Sequence, residues 1–154
     1  MFRGRGDEIR VYPLSFSEYV SVYQGSQDEA WDDYLVYGGL PLILTMEEAE
    51  DKAEYLNSLF QKVYISDIVE RHNVRNKAEL DELVDVLASA IGSYTNQSKL
   101  VRTFKSVKNK SISDKTIKNY TDYLIDSYLI SKADRYDIKG KKHIGKLAKY
   151  YFED

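Results

Sequence analysis

The chain has 154 residues, of which 43% are hydrophobic and 31% charged, and its formal net charge is −3. This length accommodates one domain, or two small ones that share a core, and the apolar fraction is typical of a folded chain. The lack of cysteine excludes disulfides and thiolate metal sites, and no apolar run approaches the roughly 20 residues that cross a membrane. The N-terminus also lacks the apolar stretch of a signal peptide, so we expect a cytoplasmic protein without a membrane partner.

The first half of the chain predicts a succession of helices. Ser15, followed three residues later by Glu18, is typical of a capping box, and Gly25 is expected to end the helix that begins there. A second helix ends at residues 38–41, where a glycine pair before a proline predicts a sharp turn and resembles a phosphate-binding loop only superficially. A long segment with apolar residues at three- and four-residue spacing follows. These helices are predicted over residues 15–24, 28–37 and 47–72.

The second half of the chain predicts a winged helix-turn-helix. Helices are expected over residues 79–91, 96–104 and 114–128, with a basic turn at 105–110 and a cap at Ser113. The residues expected to face inward are Leu80, Leu83, Val84, Leu87, Ala88 and Ile91 in the first of these helices, and Ile117, Tyr120, Leu124 and Tyr128 in the third. Alternating segments at 129–136 and 142–150 predict two strands around a turn at 137–141. The predicted fold is therefore mainly α: a helical body followed by a winged helix-turn-helix with a small C-terminal β-hairpin.

Charge is distributed very unevenly along the chain. Residues 99–149 carry 12 Lys, 2 Arg and 5 Asp, whereas residues 1–98 carry 8 basic and 18 acidic side chains. A basic segment binds nucleic acid by releasing the counterions condensed on phosphates, and an acidic segment repels the same backbone. We therefore expect any contact with double-stranded DNA to be confined to the C-terminal part.

Three groups of side chains are candidates for this contact. The first group projects from the face of the helix at 114–128 that is opposite its apolar stripe, and it can reach phosphates and base edges in a major groove. The second group lies on the predicted wing, and the third would flank the same groove. An ordinary solvated helix face is the alternative interpretation of the first group. The groups are Lys115, Lys118 and Asn119; Lys139, Lys141 and Lys142; and Lys99, Arg102 and Lys105.

The sequence announces no independent catalytic or metal site. His72 and His143 are far apart and have no metal-ligand spacing around them. Asp67 and Glu70 could form a general acid–base pair, but a salt bridge with the adjacent Arg71 is the better account. No serine lies in a nucleophile elbow.

Several stretches, in conserved order, resemble one prokaryotic family. They are GR at 4–5, EIRVYPLSFSEY at 8–19, YGGLP at 37–41, VYISDIVER at 63–71, ISDKTIKNY at 112–120, RYDIKGK at 135–141 and KYYFED at 149–154. Together they are similar to the AAA-type ATPases in which the P-loop module precedes a winged-helix part and a restriction-endonuclease-like part. The resemblance implies that residues 1–14 are the residual end of an ATPase module, 15–78 a helical linker body and 79–154 a winged-helix domain.

The same resemblance limits what this chain itself can do. It contains no Gly-x-x-x-x-Gly-Lys-Ser/Thr loop, so ATP and magnesium are implied only for a longer parent protein. In that parent, Arg5 is a candidate for facing a nucleotide phosphate. The acid and lysine cluster of the nuclease-like part is expected beyond Asp154.

Three functions remain open at this stage, and an independent enzyme is the third because it would need a substrate pocket that the sequence does not announce. The first is a non-catalytic C-terminal fragment of an AAA-type ATPase whose winged helix binds DNA weakly. The second is a protein-interaction or scaffold module, in which the acidic helical body docks on the ATPase domain or a partner subunit, including a second copy of the chain. Many winged helices bind only protein, so the fold alone does not decide between them.

Overall fold

The computed structural model describes residues 11–108, 112–135 and 147–153. It is mainly helical and ends in a two-stranded antiparallel sheet, which confirms the predicted fold class. The elements are α1 (Phe16–Val22), α2 (Gln27–Tyr37), a 3-10 helix (Pro41–Thr45), α3 (Ala49–Leu59), a π-helical segment (Phe60–Ile65), α4 (Ser66–His72), α5 (Lys77–Ser89), α6 (Gln97–Lys108), α7 (Asp114–Asp126), β1 (Ile130–Asp134) and β2 (Ala148–Phe152). The described residues form two compact units: the first ends at Asn57 and the second comprises Ser58–Glu153.

Capping boxes begin the first two helices. The backbone N–H of Ser15 donates to Glu18 Oε2 at 2.9 Å, as predicted. Ser26 and Glu29 repeat this arrangement at α2, with a 2.8 Å bond from the backbone N–H of Ser26. Each carboxylate occupies the first turn of its helix, where unpaired backbone N–H groups need an acceptor.

The turn after α2 depends on its glycines. Gly38 has φ 76°, a left-handed conformation that favours glycine. A Cβ added to Gly39 would lie 2.1 Å from the carbonyl oxygen of Leu14, and the Gly39 carbonyl accepts a hydrogen bond from Leu14 N at 2.8 Å. The predicted sharp turn is confirmed, and it brings the segment before α1 against the end of α2.

A buried ion pair links three helices of the first unit. Lys52 Nζ of α3 lies 2.7 and 2.8 Å from the two carboxylate oxygens of Asp33 on α2. The same carboxylate accepts a hydrogen bond from the hydroxyl of Tyr19 on α1, and the ammonium also lies 5.1 Å from the centroid of the Tyr37 ring. Burial and the hydrogen bond to Asp33 raise the pKa of the Tyr19 hydroxyl, so this group stays a donor.

The predicted helix at 47–72 consists of three segments with different hydrogen-bonding patterns. The structure inserts the π-helical turns Phe60–Ile65 between α3 and α4. Ile65 and Ile68 are buried in the same cluster as residues of α5, α6 and α7. The second compact unit therefore begins well before Glu79, where the winged-helix domain was predicted to start.

Helices α5, α6 and α7 form the centre of the second unit. Most of the predicted inward residues are buried, together with Leu100 and Phe104 of α6. Ala88, Ile91 and Tyr128 are exposed, so these three predictions are wrong. The helices end earlier than predicted, at Ser89 and Asp126, and Tyr128 has the left-handed φ of 58°. Conversely, α6 continues to Lys108, so the predicted basic turn at 105–110 begins as helix.

β1 lies within the predicted segment 129–136, and β2 ends at Phe152, two residues beyond the predicted segment 142–150. β1 and β2 pair antiparallel, with Ile130 opposite Phe152 and Asp134 opposite Ala148. Thr95, between α5 and α6, forms an antiparallel bridge with Ala148, with bonds of 2.9 Å in both directions. This order is compatible with the predicted winged helix-turn-helix. The predicted turn at 137–141 lies outside the described residues.

Candidate nucleic-acid interface

Helix α7 buries one face and exposes basic residues on another. The Ser113 hydroxyl caps it by accepting from Thr116 N at 3.0 Å, and Ile117, Tyr120 and Leu124 are buried. The predicted contact residues of this helix lie away from that stripe. Lys115 and Lys118 are exposed, Asn119 is half-buried, and Lys118 Nζ lies 3.6 Å from Asp122 of the next turn.

Helix α6 carries a second row of exposed cations. Lys99, Arg102 and Lys105 follow one another at three-residue spacing, and all three are exposed, whereas Leu100 and Phe104 are buried. The Lys99 ammonium donates to the backbone carbonyl of Tyr94 at 3.0 Å. Within the described ranges no carboxylate lies in ion-pair distance of these three side chains, so their charges remain available to an anionic partner.

A cluster of two cations on an exposed tyrosine was not predicted. Lys149 Nζ and Arg135 Cζ lie 5.0 and 5.9 Å from the centroid of the Tyr94 ring. Thr95 is bridged to Ala148 of β2, so the preceding residue, Tyr94, lies beside Lys149 of the same strand. No sequence signal reveals this cluster, since it depends on the isolated β-bridge between Thr95 and Ala148.

A polar cleft lies between the start of α6 and the sheet. Its volume is about 380 Å³, and it is lined by Thr95, Asn96, Gln97, Ser98, Lys132, Asp134, Ala148 and Tyr150. The cation of this cleft is already paired, since Lys132 Nζ lies 2.8 Å from Asp134. That hydrogen bond raises the pKa of Lys132, and burial raises the pKa of the Tyr150 hydroxyl. The cleft therefore offers neutral hydroxyl and amide groups around a neutralised ion pair.

The remaining candidate residues fall into two classes. Arg5, Lys139, Lys141, Lys142 and His143 lie outside the described residues. Arg71 and Asp67 form the expected salt bridge, at 2.6 Å, and His72 stacks on Tyr123 with ring centroids 3.8 Å apart.

Neither a metal-binding cluster nor a membrane-spanning helix occurs in the part of the chain that the structure describes. No group of three or more His, Cys, Asp or Glu is placed to hold a metal ion there. In the same residues no helix has both the length and the apolar character needed to traverse a bilayer.

Comparison with known proteins places the chain among proteins that carry no functional description. An uncharacterized protein of Haemophilus influenzae is 33% identical over 159 residues, which cover 100% of this chain and 39% of that protein. The uncharacterized protein MJ1544 of Methanocaldococcus jannaschii is 26% identical over 151 residues, which cover 90% of this chain and 34% of its own length. The chain thus spans less than two-fifths of either relative. No solved structure matches it significantly. Residues 28–154 match the family described as a domain of unknown function, DUF8612, and the chain belongs to that family.

Proposed function

We propose that the second unit binds duplex DNA weakly, through the exposed cations of α6 and α7. The observation that carries this proposal is the separation of side chains on these two helices. Leu100, Phe104, Ile117 and Leu124 are buried in the core cluster. The basic residues Lys99, Arg102, Lys105, Lys115 and Lys118 are exposed. Such a surface gains free energy from phosphates by counterion release and needs no particular base sequence.

The proposal predicts a weak and strongly salt-dependent affinity. A single module of this charge is expected to bind a short duplex with a Kd of about 10⁻⁶ M or weaker near physiological salt. Fluorescence anisotropy with a labelled duplex, repeated at several salt concentrations, measures both the affinity and its slope. Absence of binding even at low salt would refute the proposal.

A paired variant assigns the contact to α7. Lys115→Gln combined with Lys118→Gln removes two charges and should reduce the logarithmic salt slope by about two, since each phosphate contact contributes about 0.9. Lys62→Gln is the matched control, because Lys62 is an exposed lysine of the same unit outside α6 and α7. If the control and the double variant change the slope equally, α7 is not the contacting helix.

The protein-interaction alternative is favoured by exposed apolar side chains in the first unit. Leu35 and Val36 are 62% and 69% exposed, and Trp31 and Leu42 are also exposed. Apolar surface of this kind is more typical of an interface than of a free surface. The test is light scattering after size exclusion: Leu35→Gln with Val36→Gln should dissociate a homo-oligomer, and a wild-type chain that is monomeric at all concentrations would count against it.

Membership of an AAA-type ATPase, and with it ATP and magnesium as cofactors, stays a prediction from the resemblance. A cytoplasmic location stays a prediction from the sequence composition. Neither the family description nor the names of the relatives mention an ATPase. This chain alone is expected to release no phosphate from ATP above background, and measurable turnover would contradict that expectation.

A further inference from the structure

One face of the small sheet is lined by aromatic and basic side chains. Side chains alternate between the two faces of a strand, and residues opposite each other in an antiparallel pair share a face. Ala148 and Tyr150 of β2 are buried, so Lys149 and Tyr151 belong to the opposite, outer face. Their partners on β1 are Ala133 and Ser131.

The bridge between α5 and α6 extends this surface by one residue. Thr95 pairs with Ala148, which places Tyr94 beside Lys149, in agreement with the 5.0 Å between the ammonium and the ring centroid. Arg135, two residues after Ala133, also reaches the ring of Tyr94. We name these six residues the outer sheet face: Tyr94, Ser131, Ala133, Arg135, Lys149 and Tyr151.

The outer sheet face combines accessible rings with cations. Tyr94 and Tyr151 are 48% and 39% exposed. The strand positions on this side contain no carboxylate among the residues that the structure describes, since Asp134 belongs to the other face, where it holds Lys132. Glu153 continues the alternation past β2, since its N–H donates to Leu129 O at 3.1 Å, so a carboxylate lies at the Tyr151 end of this face and the two cations lie at the Tyr94 end.

We propose that the outer sheet face binds unpaired nucleotides of single-stranded DNA that continues from a bound duplex. This inference rests on the proposed function and adds a second contact to it. A base stacks on an exposed aromatic ring, and nearby cations hold the adjacent phosphates, which together form a binding surface for single strands. A duplex hides the faces of its bases, so the rings of Tyr94 and Tyr151 can be used only by unpaired nucleotides.

The small side chains between the rings favour this occupant. Ser131 and Ala133 have small side chains, so they leave space above β1. Gly92 lies beside the Tyr151 ring, where an added Cβ would come into van der Waals contact at 4.0 Å, so the missing side chain leaves that edge of the ring less covered. Lys149 and Arg135 form no ion pair within the described residues and lie over the Tyr94 ring, so a base that stacks on that ring takes the place of a cation, which is then left beside the adjacent phosphate.

The experiment compares DNA ligands that share one duplex. Anisotropy is measured on the full chain with a blunt duplex, with the same duplex extended by a thymidine overhang of about ten nucleotides, and with free oligothymidine and oligouridine. The overhang should tighten binding about fivefold or more, because stacking of even one base on an aromatic ring gives a gain of that order. Free oligouridine that binds better than oligothymidine would overturn the assignment to DNA.

Variants locate the gain on the sheet. Tyr94→Leu and Tyr151→Leu should remove the advantage of the overhang and leave blunt-duplex binding unchanged, whereas Tyr94→Phe keeps the ring and should preserve it. Thermal unfolding followed by circular dichroism shows whether each variant is folded. If a leucine variant is not folded, the advantage of the overhang is compared between Tyr94→Phe and Lys149→Gln instead. An overhang that adds nothing, or an advantage that survives both leucine variants, overturns the inference even if blunt-duplex binding persists. Loss of all binding at low salt instead refutes the proposed function.

Discussion

Replacement of Lys52 by methionine should destabilise the first unit strongly. The side chains of Lys52 and Asp33 are only 9% and 14% exposed, and their charges meet at 2.7 Å. Methionine has a similar length and fills the same space, so the variant removes the charge and its hydrogen bonds with little change in packing. What remains is an Asp33 carboxylate that is mostly shielded from water and has lost both bonds from Lys52.

The magnitude follows from the charge that is left behind. Removing one partner of a buried ion pair costs about 3–5 kcal/mol, because the other charge stays desolvated without compensation. Tyr19 still donates to Asp33, and the carboxylate keeps a little contact with water, so we expect the lower end of that range, about 3 kcal/mol. Asp33→Asn leaves the lysine unpaired and should cost a similar amount. The double variant should cost clearly less than the sum, by about 1.5 kcal/mol or more, since no buried charge remains.

Because the chain has a single tryptophan, its fluorescence can follow the unfolding of the first unit alone. Trp31 packs edge-on against Phe16 with ring centroids 4.8 Å apart, so its fluorescence during urea unfolding reports on the first unit. Asp32→Asn is the matched control, because Asp32 neighbours Asp33 on α2 and is exposed. If Lys52→Met and Asp32→Asn lower the free energy of unfolding equally, or if the two single effects simply add, the ion pair does not stabilise the unit in the way argued here.

Three further substitutions test other parts of the fold. Leu124→Ala should cost about 2–5 kcal/mol by leaving a cavity in the core of the second unit, measured by urea unfolding with far-ultraviolet circular dichroism. Gly39→Ala should lower the melting temperature of the Trp31 signal, because its Cβ would collide with a backbone oxygen at 2.1 Å. Ser26→Ala should cost about 1 kcal/mol near neutral pH. The bonds from the Ser26 backbone N–H and hydroxyl hold the pKa of Glu29 below its ordinary 4.5, so the stabilisation that they give is present above that pH and is lost as the pH falls through the lowered pKa. Ser26→Ala removes only the hydroxyl, which also accepts from Glu29 N, so the unfolding midpoints of wild type and variant should approach each other in acid without meeting.

Local signals in the sequence predicted most of the helices. The capping box at Ser15 and the cap at Ser113 depend only on residues three apart, and both are present. The same signal at Ser26 was overlooked although the sequence contains it. Two of the three wrong inward residues, Ile91 and Tyr128, lie beyond the end of their helix, because a periodic pattern continues in the sequence after the backbone has left the helix. Ala88 is exposed although it is still helical. Helix α6 extends over Lys105, where the basic run predicted a turn. The extension agrees with the good helix propensity of lysine.

The parts of the candidate site that depend on contacts between residues distant in the sequence could not be predicted. The exposed lysines of α6 and α7 could be predicted because they alternate with apolar residues of the same helix. The cluster on Tyr94 could not, since it requires Thr95 to pair with Ala148. The pairing of Lys52 with Asp33 joins two helices for the same reason: each residue alone has the pattern of a solvated helix face.

The cations of the two units differ in burial and pairing, and this difference predicts a measurable response to salt. The described part of the first unit contains one basic side chain, Lys52, and its charge is buried and neutralised. In the second unit Lys99, Arg102 and Lys105 repeat at three-residue spacing on one exposed helix face, where like charges destabilise a helix by a few tenths of a kcal/mol per pair. Added salt screens this repulsion and should raise the stability of the second unit in the absence of DNA. The same salt should weaken DNA binding, because it opposes counterion release. Opposite responses to salt are expected only if these cations are unpaired in the free protein and also bind phosphates. If salt does not change the stability of the free protein, the cations are not unpaired in it. If salt does not change DNA binding, the cations do not bind phosphates.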